Sequence, residues 1–193
     1  MSTEPEKGVV LIALARAAIG ESFDLEFDVD RNAHYLQNQA ATFVTLKLRG
    51  QLRGCIGTLQ AYRPLGEDVY ENARAAAFRD PRFAPLNADE FDLLEIEVSL
   101  LSEPQTLSFD DEADALARLR PNIDGLVFQY RQHRSTFLPQ VWEQLPDARE
   151  FMAHLKQKAG LSANFWAPEV NLKRYTVSKW NEQDFKNSVK AVS

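Results

Sequence analysis

The chain of 193 residues has only one cysteine, Cys55, so it can form no disulfide within itself and no cluster held by several thiolates. No apolar run is long enough to cross a bilayer, since the most apolar one, residues 9–15, ends at Arg16. The first residues lack the basic start and apolar core of a secretory signal, so we expect a cytoplasmic protein without membrane contact. Three scattered histidines also lack the spacing of metal ligands: His34, His133 and His154.

Two familiar glycine signatures are missing as well. No phosphate-binding loop ends in glycine-lysine-serine or glycine-lysine-threonine, and no dinucleotide-binding glycine fingerprint follows a first strand. Gly54 and Gly57 occur inside a predicted strand, unlike the helix-flanked glycines of a nucleic-acid clamp. We therefore expect neither a cofactor nor a bound metal.

Positive charge is scarce overall but concentrated in one segment. The net charge of −6 argues against broad nucleic-acid binding. Residues 47–82 hold seven basic and four acidic residues, so this segment carries +3 and the rest of the chain −9. A basic segment on an acidic protein favours a specific small anionic ligand over a long polyanion. The alternative is that its arginines pair with acidic residues elsewhere in the fold.

What is present is typical of a globular protein, with 45% hydrophobic and 26% charged residues in a length that suits one domain, 1–193. Apolar spacing predicts helices over residues 6–19, from Pro64 to about 78, and over 111–120, 140–145 and 147–160. Strands are predicted at 42–48, 52–59, 94–100, 125–130 and 172–180. Without a regular strand–helix alternation the class is α+β, with mixed or antiparallel sheets and flanking helices.

The stretch 52–58, Leu-Arg-Gly-Cys-Ile-Gly-Thr, departs most from ordinary strand composition. Glycine weakens a strand interior, so two glycines around one cysteine need a reason. Gly54 and Gly57 would let a ligand approach the backbone, or they would only let a helix pack tightly on the sheet. Cys55 is either a nucleophile, with its pKa lowered by a nearby cation such as Arg53, or a small buried hydrophobic residue.

Alternation in the preceding run predicts that the two runs form a half-buried hairpin. A three-residue loop would pair Leu46 with Gly54 and place every aliphatic residue on one face. Arg53, Cys55 and Thr45 would then share the other face, whereas a two-residue loop would place Arg53 among the leucines. We therefore predict a polar face on which Arg53 and Cys55 are close neighbours.

Two further places carry charged residues in distinctive surroundings. Asp80 and Arg82 lie in a stiff segment with two prolines, and they form either a ligand-binding pair or a salt bridge that fixes the loop. Arg134-Ser135-Thr136 precedes Phe-Leu-Pro. This pattern indicates first a helix entrance capped by the hydroxyls, and second a ligand site that includes Arg134.

Several motifs resemble the AMMECR-one domain family in order and spacing. They are residues 43–46 (Phe-Val-Thr-Leu), 52–57 (Leu-Arg-Gly-Cys-Ile-Gly) and 76–83 (Ala-Ala-Phe-Arg-Asp-Pro-Arg-Phe), extended by 97–101, 136–142 and 156–161. The resemblance covers residues 40–161 and extends toward both ends. Thr42 stands where the family often has a glycine.

The resemblance implies an α+β fold with a larger and a smaller lobe and a cleft whose wall includes residues 52–57. It implies no particular reaction. The bacterial version of the family is similar to a component of the AmmeMemoRadiSam set, which implies a Memo-like protein and a radical SAM protein as partners in a modification reaction.

Two functions are consistent with these features, one enzymatic and one not. The first is an enzyme that uses Cys55 and Arg53 as catalytic residues on a small anionic substrate. The second is a binding module that holds a ligand or a partner in the same cleft and performs no chemistry. In either case we expect the following residues to bind the ligand: Thr45, Gly54, Gly57, Asp80, Arg82 and Arg134.

Overall fold

The computed structural model describes residues 3–189, and the side chains of residues 3–185. The helices are α1 (Glu4–Gly20), α2 (Leu65–Phe78), α3 (Ala88–Phe91), α4 (Glu112–Ala117), α5 (Ala148–Lys158) and α6 (Glu182–Val189). The strands are β1 (Gln39–Leu48), β2 (Gln51–Gly57), β3 (Arg63–Pro64), β4 (Leu94–Leu101), β5 (Gln105–Thr106), β6 (Gly125–Tyr130), β7 (His133–Phe137), β8 (Asn171–Tyr175) and β9 (Val177–Asn181). Short 3-10 helices span Glu21–Phe23, His34–Gln37 and Pro139–Glu143.

The chain divides into two compact units. The first takes in the chain up to Leu101 and resumes at Ser178, and the second is Ser102–Val177. A five-stranded sheet in the first unit has the order β2-β1-β4-β9, with β3 also paired to β1, and a four-stranded sheet in the second has the order β5-β8-β6-β7. Antiparallel sheets mixed with helices confirm the α+β prediction. A single domain over 1–193 stays a prediction.

Most predicted elements form where the spacing placed them, and two do not. Residues 172–180 were expected to form one closing strand, but β8 and β9 belong to different sheets. The chain changes units here, and Thr176 breaks the strand by bonding to Ser102 instead, through its N–H and its carbonyl oxygen. Alternation of side chains continues through such a change of partner, so the sequence pattern did not reveal it.

The predicted helix entrance at Arg134-Ser135-Thr136 is wrong, because these residues lie within β7. The hydroxyls cap no helix. Ser135 Oγ donates to the carbonyl oxygen of Leu155, 2.6 Å away, and Thr136 Oγ1 lies 3.2 Å from the hydroxyl of Tyr175. Leu155 and Tyr175 are both distant in sequence from these hydroxyls, so the local pattern, which is typical of a helix cap, led to the wrong prediction.

The core of the first unit lies on one face of its sheet. Val44, Leu46, Ile96 and Val98 are fully buried there among side chains of the helices. The opposite face carries the alternate residues of β1, β2 and β4. We call it the front face, and it includes Phe43, Thr45, Lys47, Cys55, Gly57, Glu97 and Ser99.

The β1–β2 hairpin has the predicted register around Cys55, but its turn is shorter than predicted and β2 contains a bulge. Leu46 pairs with Gly54 as predicted. The three-residue loop is wrong, because Leu48 pairs with Gln51 and leaves a two-residue turn, Arg49-Gly50, in which both φ angles are positive. Such turns match the twist of a hairpin. A bulge at Arg53 absorbs the extra residue, so Ile56 still lies on the core face with Val44 and Leu46. Leu52 instead pairs with Lys47 and is 44% exposed, so the prediction that every aliphatic residue shares one face is wrong.

Candidate functional site

Four side chains line up across the front face. Cys55 on β2 pairs with Thr45 on β1, and Thr45 pairs with Glu97 on β4. Cys55 Sγ lies 3.2 Å from Thr45 Oγ1, and Lys179 Nζ on β9 lies 3.2 Å from Glu97 Oε1. We call Cys55, Thr45, Glu97 and Lys179 the Cys55 row. A thiol, a hydroxyl, a carboxylate and an ammonium group are thus adjacent, and Cys55 faces away from the aliphatic core as predicted.

The carboxylate of the Cys55 row, that of Glu97, has two lysine partners. Lys47 Nζ lies 3.4 Å from Glu97 Oε2, so two ammonium groups share one carboxylate. The side chain of Glu97 is only 12% exposed, whereas those of Lys47 and Lys179 are 34% and 49% exposed. The two cations therefore remain reachable from solvent, while the anion between them is largely covered.

The backbone of Cys55 is held by Asp80 and Arg82, which we call the edge clip. The N–H of Cys55 donates to Asp80 Oδ2 at 2.9 Å, and Arg82 Nη2 donates to the Cys55 carbonyl oxygen at 3.1 Å. Because β2 is an edge strand, these backbone groups would otherwise have no partner in the sheet. The clip satisfies both, and it fixes where the thiol stands. A ligand-binding role for Asp80 and Arg82 stays a prediction.

The edge clip also sets the electrostatics beside the thiol. Arg82 bonds both oxygens of Asp80, at 2.9 and 2.7 Å, and this ion pair holds the pKa of the buried Asp80 carboxyl far below its usual value, helped by the N–H of Cys55. The pKa of Arg82 is raised, chiefly by Asp80, with a smaller contribution from the Cys55 thiol. The guanidinium of Arg82 therefore lies against the backbone of Cys55.

Arg53, which we predicted to be close to Cys55, is instead paired with Glu90. Its Nε and Nη2 donate to the two oxygens of Glu90, both at 2.9 Å, and this bidentate pair lowers the pKa of Glu90. The guanidinium also lies 6.0 Å from the ring centroid of Phe83. Among the contacts that the structure describes, Arg82 rather than Arg53 is the arginine that interacts with Cys55. A catalytic role for Arg53 stays a prediction.

Most of the positively charged side chains in the basic segment, residues 47–82, are paired with carboxylates. Five of its seven cations form salt bridges: Lys47–Glu97, Arg53–Glu90, Arg63–Asp68, Arg79–Glu71 and Arg82–Asp80. Lys179, the second lysine beside Glu97, lies outside that segment. Sequence reasoning missed Lys179 and Glu97, although the alternation in β4 already placed Glu97 on a polar face.

The two motif glycines each have a packing reason. A Cβ on Gly54 would lie 2.1 Å from the backbone oxygen of Ala76, so helix α2 sits directly on the strand. A Cβ on Gly57 would lie 2.3 Å from Cγ of Phe43, whose ring covers that glycine on the front face. Tight helix packing, the alternative weighed for these residues, accounts for Gly54. Ligand contact at either glycine stays a prediction.

Sequence reasoning also missed a buried carboxylate beside this motif. Asp68 on α2 is completely buried and accepts hydrogen bonds from two threonines, an arginine and an asparagine. The donors are Thr42 N (2.8 Å), Thr42 Oγ1 (2.7 Å), Thr58 Oγ1 (2.8 Å), Arg63 Nε (2.9 Å) and Asn72 Nδ2 (3.0 Å). The hydroxyl of Thr42 is thus part of this buried network. Asp68 and Asn72 one helical turn apart on an otherwise apolar stripe were the available signal.

The remaining predicted ligand residue, Arg134, lies on β7 of the second unit, opposite Gln129, with its side chain exposed. Its role stays a prediction. Within the described part of the chain, no three His, Cys, Asp or Glu side chains are grouped so as to hold a metal ion. The same residues include no helix long and apolar enough to span a membrane.

Comparison with known proteins places this fold and motif in one family. The AMMECR1 family model matches residues 12–180. A protein from Methanothermobacter thermautotrophicus is 36% identical over 183 residues, covering 92% of this chain and 95% of the relative. Protein MJ0810 from Methanocaldococcus jannaschii is 31% identical, with 95% and 94% of the two chains covered. The chain belongs to the AMMECR1 family, which confirms the resemblance.

A solved structure agrees with the fold. The crystal structure of the uncharacterized protein PH0010 from Pyrococcus horikoshii superposes with a TM-score of 0.74 at 30% sequence identity, covering 90% of each chain. The two proteins therefore share this α+β fold over most of their length.

The depressed pKa of Asp80 predicts a pH dependence of stability. A carboxyl with a lower pKa in the folded state stabilises fully above its unfolded pKa, about 3.9, and this contribution is lost as pH falls through the folded pKa. We expect Asp80→Asn to be less stable than wild type at pH 7, with a difference that shrinks below about pH 5. Urea unfolding at several pH values measures this. The exposed Asp28→Asn is the control, and curves for Asp80→Asn that run parallel to wild type would contradict the assignment.

Proposed function

We propose that the front face binds a small anionic ligand at the Cys55 row. One observation carries this proposal: two ammonium groups, those of Lys47 and Lys179, share the single carboxylate of Glu97 next to the only thiol of the chain. These two partly exposed ammonium groups can each donate hydrogen bonds to a phosphate or a carboxylate. Thr45 and Cys55 then contact the ligand from the floor of the site.

The chemistry of the neighbours favours lysine rather than arginine as the anion-binding residue. Arg53 gives Nε and Nη2 to Glu90, and Arg82 gives the same two nitrogens to Asp80, so this edge of each guanidinium is not open for a bidentate anion contact. Lysine binds an anion as a point charge and keeps rotational freedom among its three donors. The exposed ammonium groups of Lys47 and Lys179 are suited to this role.

A second candidate is a thiol-dependent reaction on the bound ligand. Two observations favour it: the edge clip holds both backbone groups of that cysteine, and the clip brings the guanidinium of Arg82 to its carbonyl oxygen. A nearby cation favours the thiolate, which is the nucleophilic form. A Memo-like protein and a radical SAM protein as partners rest on the family resemblance alone and stay a prediction.

A thermal-shift screen tests anion binding. A ligand at 100 times its dissociation constant stabilises the native state by about 2.7 kcal/mol. For a protein of this size that raises the melting temperature by roughly 5–10 °C. We expect organic phosphates or dicarboxylates to give such a shift, and Lys179→Gln to reduce it strongly. The exposed Lys173→Gln in the second unit removes the same charge and should leave the shift unchanged. If no phosphate or carboxylate shifts wild type, the anion site is wrong.

Alkylation of Cys55 then locates the ligand. With iodoacetamide at pH 7, a ligand that shifts the melting temperature should slow the labelling of the native protein, because it covers the thiol. Without ligand, labelling faster than that of an ordinary thiol with a pKa of about 8.5 would support the second candidate. Labelling only after denaturation would contradict both candidates, since it would make Cys55 a buried structural residue.

A further inference from the structure

The second unit has a groove of its own, built entirely from residues of that unit. It has a volume of about 600 Å³ and runs between α4, α5 and the segment after α5. Its polar and aromatic lining comes from Glu112, Arg149, Lys156, Asn164 and Trp166. We call it the Trp166 groove. Its size falls within the usual range for a site that takes a small molecule.

The acidic side chains of the groove are already engaged. Glu112 Oε1 accepts a hydrogen bond from Lys156 Nζ at 2.7 Å. Asp111, which also lines the groove, accepts one from the N–H of Asp114 at 2.8 Å and so caps the start of α4. Both carboxylates therefore have structural partners, and neither needs a ligand to satisfy it.

Several hydrogen-bond donors of the groove, in contrast, have no acceptor among the described residues. Within the described part of the chain, neither the Arg149 guanidinium nor the indole N–H of Trp166 has a hydrogen-bond acceptor. Lys156 is only 2% exposed and donates to Glu112 and to the carbonyl oxygen of Phe165, so one of its three N–H groups is also unused. The groove carries two charges of each sign, so its spare donors rather than its net charge select a ligand.

The indole ring gives the groove a flat wall. Trp166 packs against Phe109 with ring centroids 5.6 Å apart, and Lys156 Nζ lies 5.9 Å from the centroid of its indole ring. The ring is half-buried and lines the groove. A planar ligand can stack on such a ring, and stacked or tilted aromatic pairs add to the free energy of burial.

We infer that the Trp166 groove binds a small aromatic carboxylate. The ring of the ligand lies against the indole of Trp166. Its carboxylate accepts hydrogen bonds from the guanidinium of Arg149. This site is separate from the Cys55 row, because all of its residues belong to the second unit, and it does not depend on the proposed function of that row.

Tryptophan fluorescence provides a direct measurement. Trp142 and Trp180 are buried, whereas Trp166 lines the groove, so ligand binding should change mainly the emission of Trp166. We expect benzoate to change the emission saturably, and Trp166→Phe to remove the change. Arg149→Gln should weaken benzoate by about tenfold or more, as loss of a charge-assisted hydrogen bond does. Lys173→Gln should leave the affinity as in wild type.

Three results would overturn the inference. One is an emission that benzoate does not change. The second is an equal response to benzamide, which has the ring without the charge, because the spare donors would then not select an anion. The third is an equal loss of affinity in Arg149→Gln and Lys173→Gln. Both replaced side chains are exposed, so each variant should fold, and urea unfolding of the unliganded variants checks this.

Discussion

Replacing Asp68 by alanine should lower the free energy of unfolding by about 3–5 kcal/mol, because removing one partner of a buried ion pair leaves the other charge unpaired. The carboxylate is completely buried, and its loss removes the acceptor of Arg63 Nε and of the buried N–H and hydroxyl of Thr42. The melting temperature should fall by roughly 6–20 °C. Thermal and urea unfolding measure the change.

The control for Asp68→Ala is Asp28→Ala, which removes an exposed carboxylate from a loop of the same unit. It should stay close to wild type, since surface substitutions away from special features usually change stability by no more than about 0.5 kcal/mol. A loss below about 1 kcal/mol in Asp68→Ala would mean that the network contributes little, which would contradict its place at the junction of α2 with β1.

The second large effect is expected for Gly54→Ala. The added Cβ would lie 2.1 Å from the backbone oxygen of Ala76, and no change of rotamer can move a backbone oxygen. Helix α2 must therefore shift away from β2, which disrupts the packing of a buried core. We expect a loss of about 3 kcal/mol or more, at the upper end for overpacking. Urea unfolding with a fit to two states measures it.

Gly66→Ala is a matched control because it makes the same substitution within α2. There the new Cβ would meet Leu36 at 3.4 Å, an ordinary contact, and alanine is the better helix former. Gly66→Ala should be as stable as wild type or slightly more so. Equal stability of the two variants would show that the close approach at Gly54 is not needed for the fold.

These expectations separate residues that support the site from residues that act in it. Asp68 and Gly54 lie on the helix side of the hairpin and hold α2 against the strands. Lys179 and Lys47 project from the front face and are partly exposed. Substitutions at the lysines should therefore change ligand binding without large losses of stability, so the two kinds of role can be told apart by the same unfolding measurements.

Local patterns in the sequence were enough to predict the fold class and the facing of Cys55. Period-two alternation along β1 and β4 and helical spacing along α2 and α5 involve neighbours in the chain, so these patterns can be recognised from the sequence alone. The family motifs are likewise short runs of consecutive residues, so they too can be recognised in the sequence. The register of the hairpin followed from requiring that its aliphatic residues share one face.

The tertiary structure alone decided which charges meet. Arg53 forms an ion pair with Glu90. The backbone of Cys55 is hydrogen-bonded to Asp80 and Arg82. Glu97 on β4 pairs with Lys179, which lies far along the chain on β9. No local pattern specifies such partners, because they depend on strand order and on a bulge that redirects Arg53. The sequence by itself determined where the thiol faces, and long-range pairing decided which cation stands beside it.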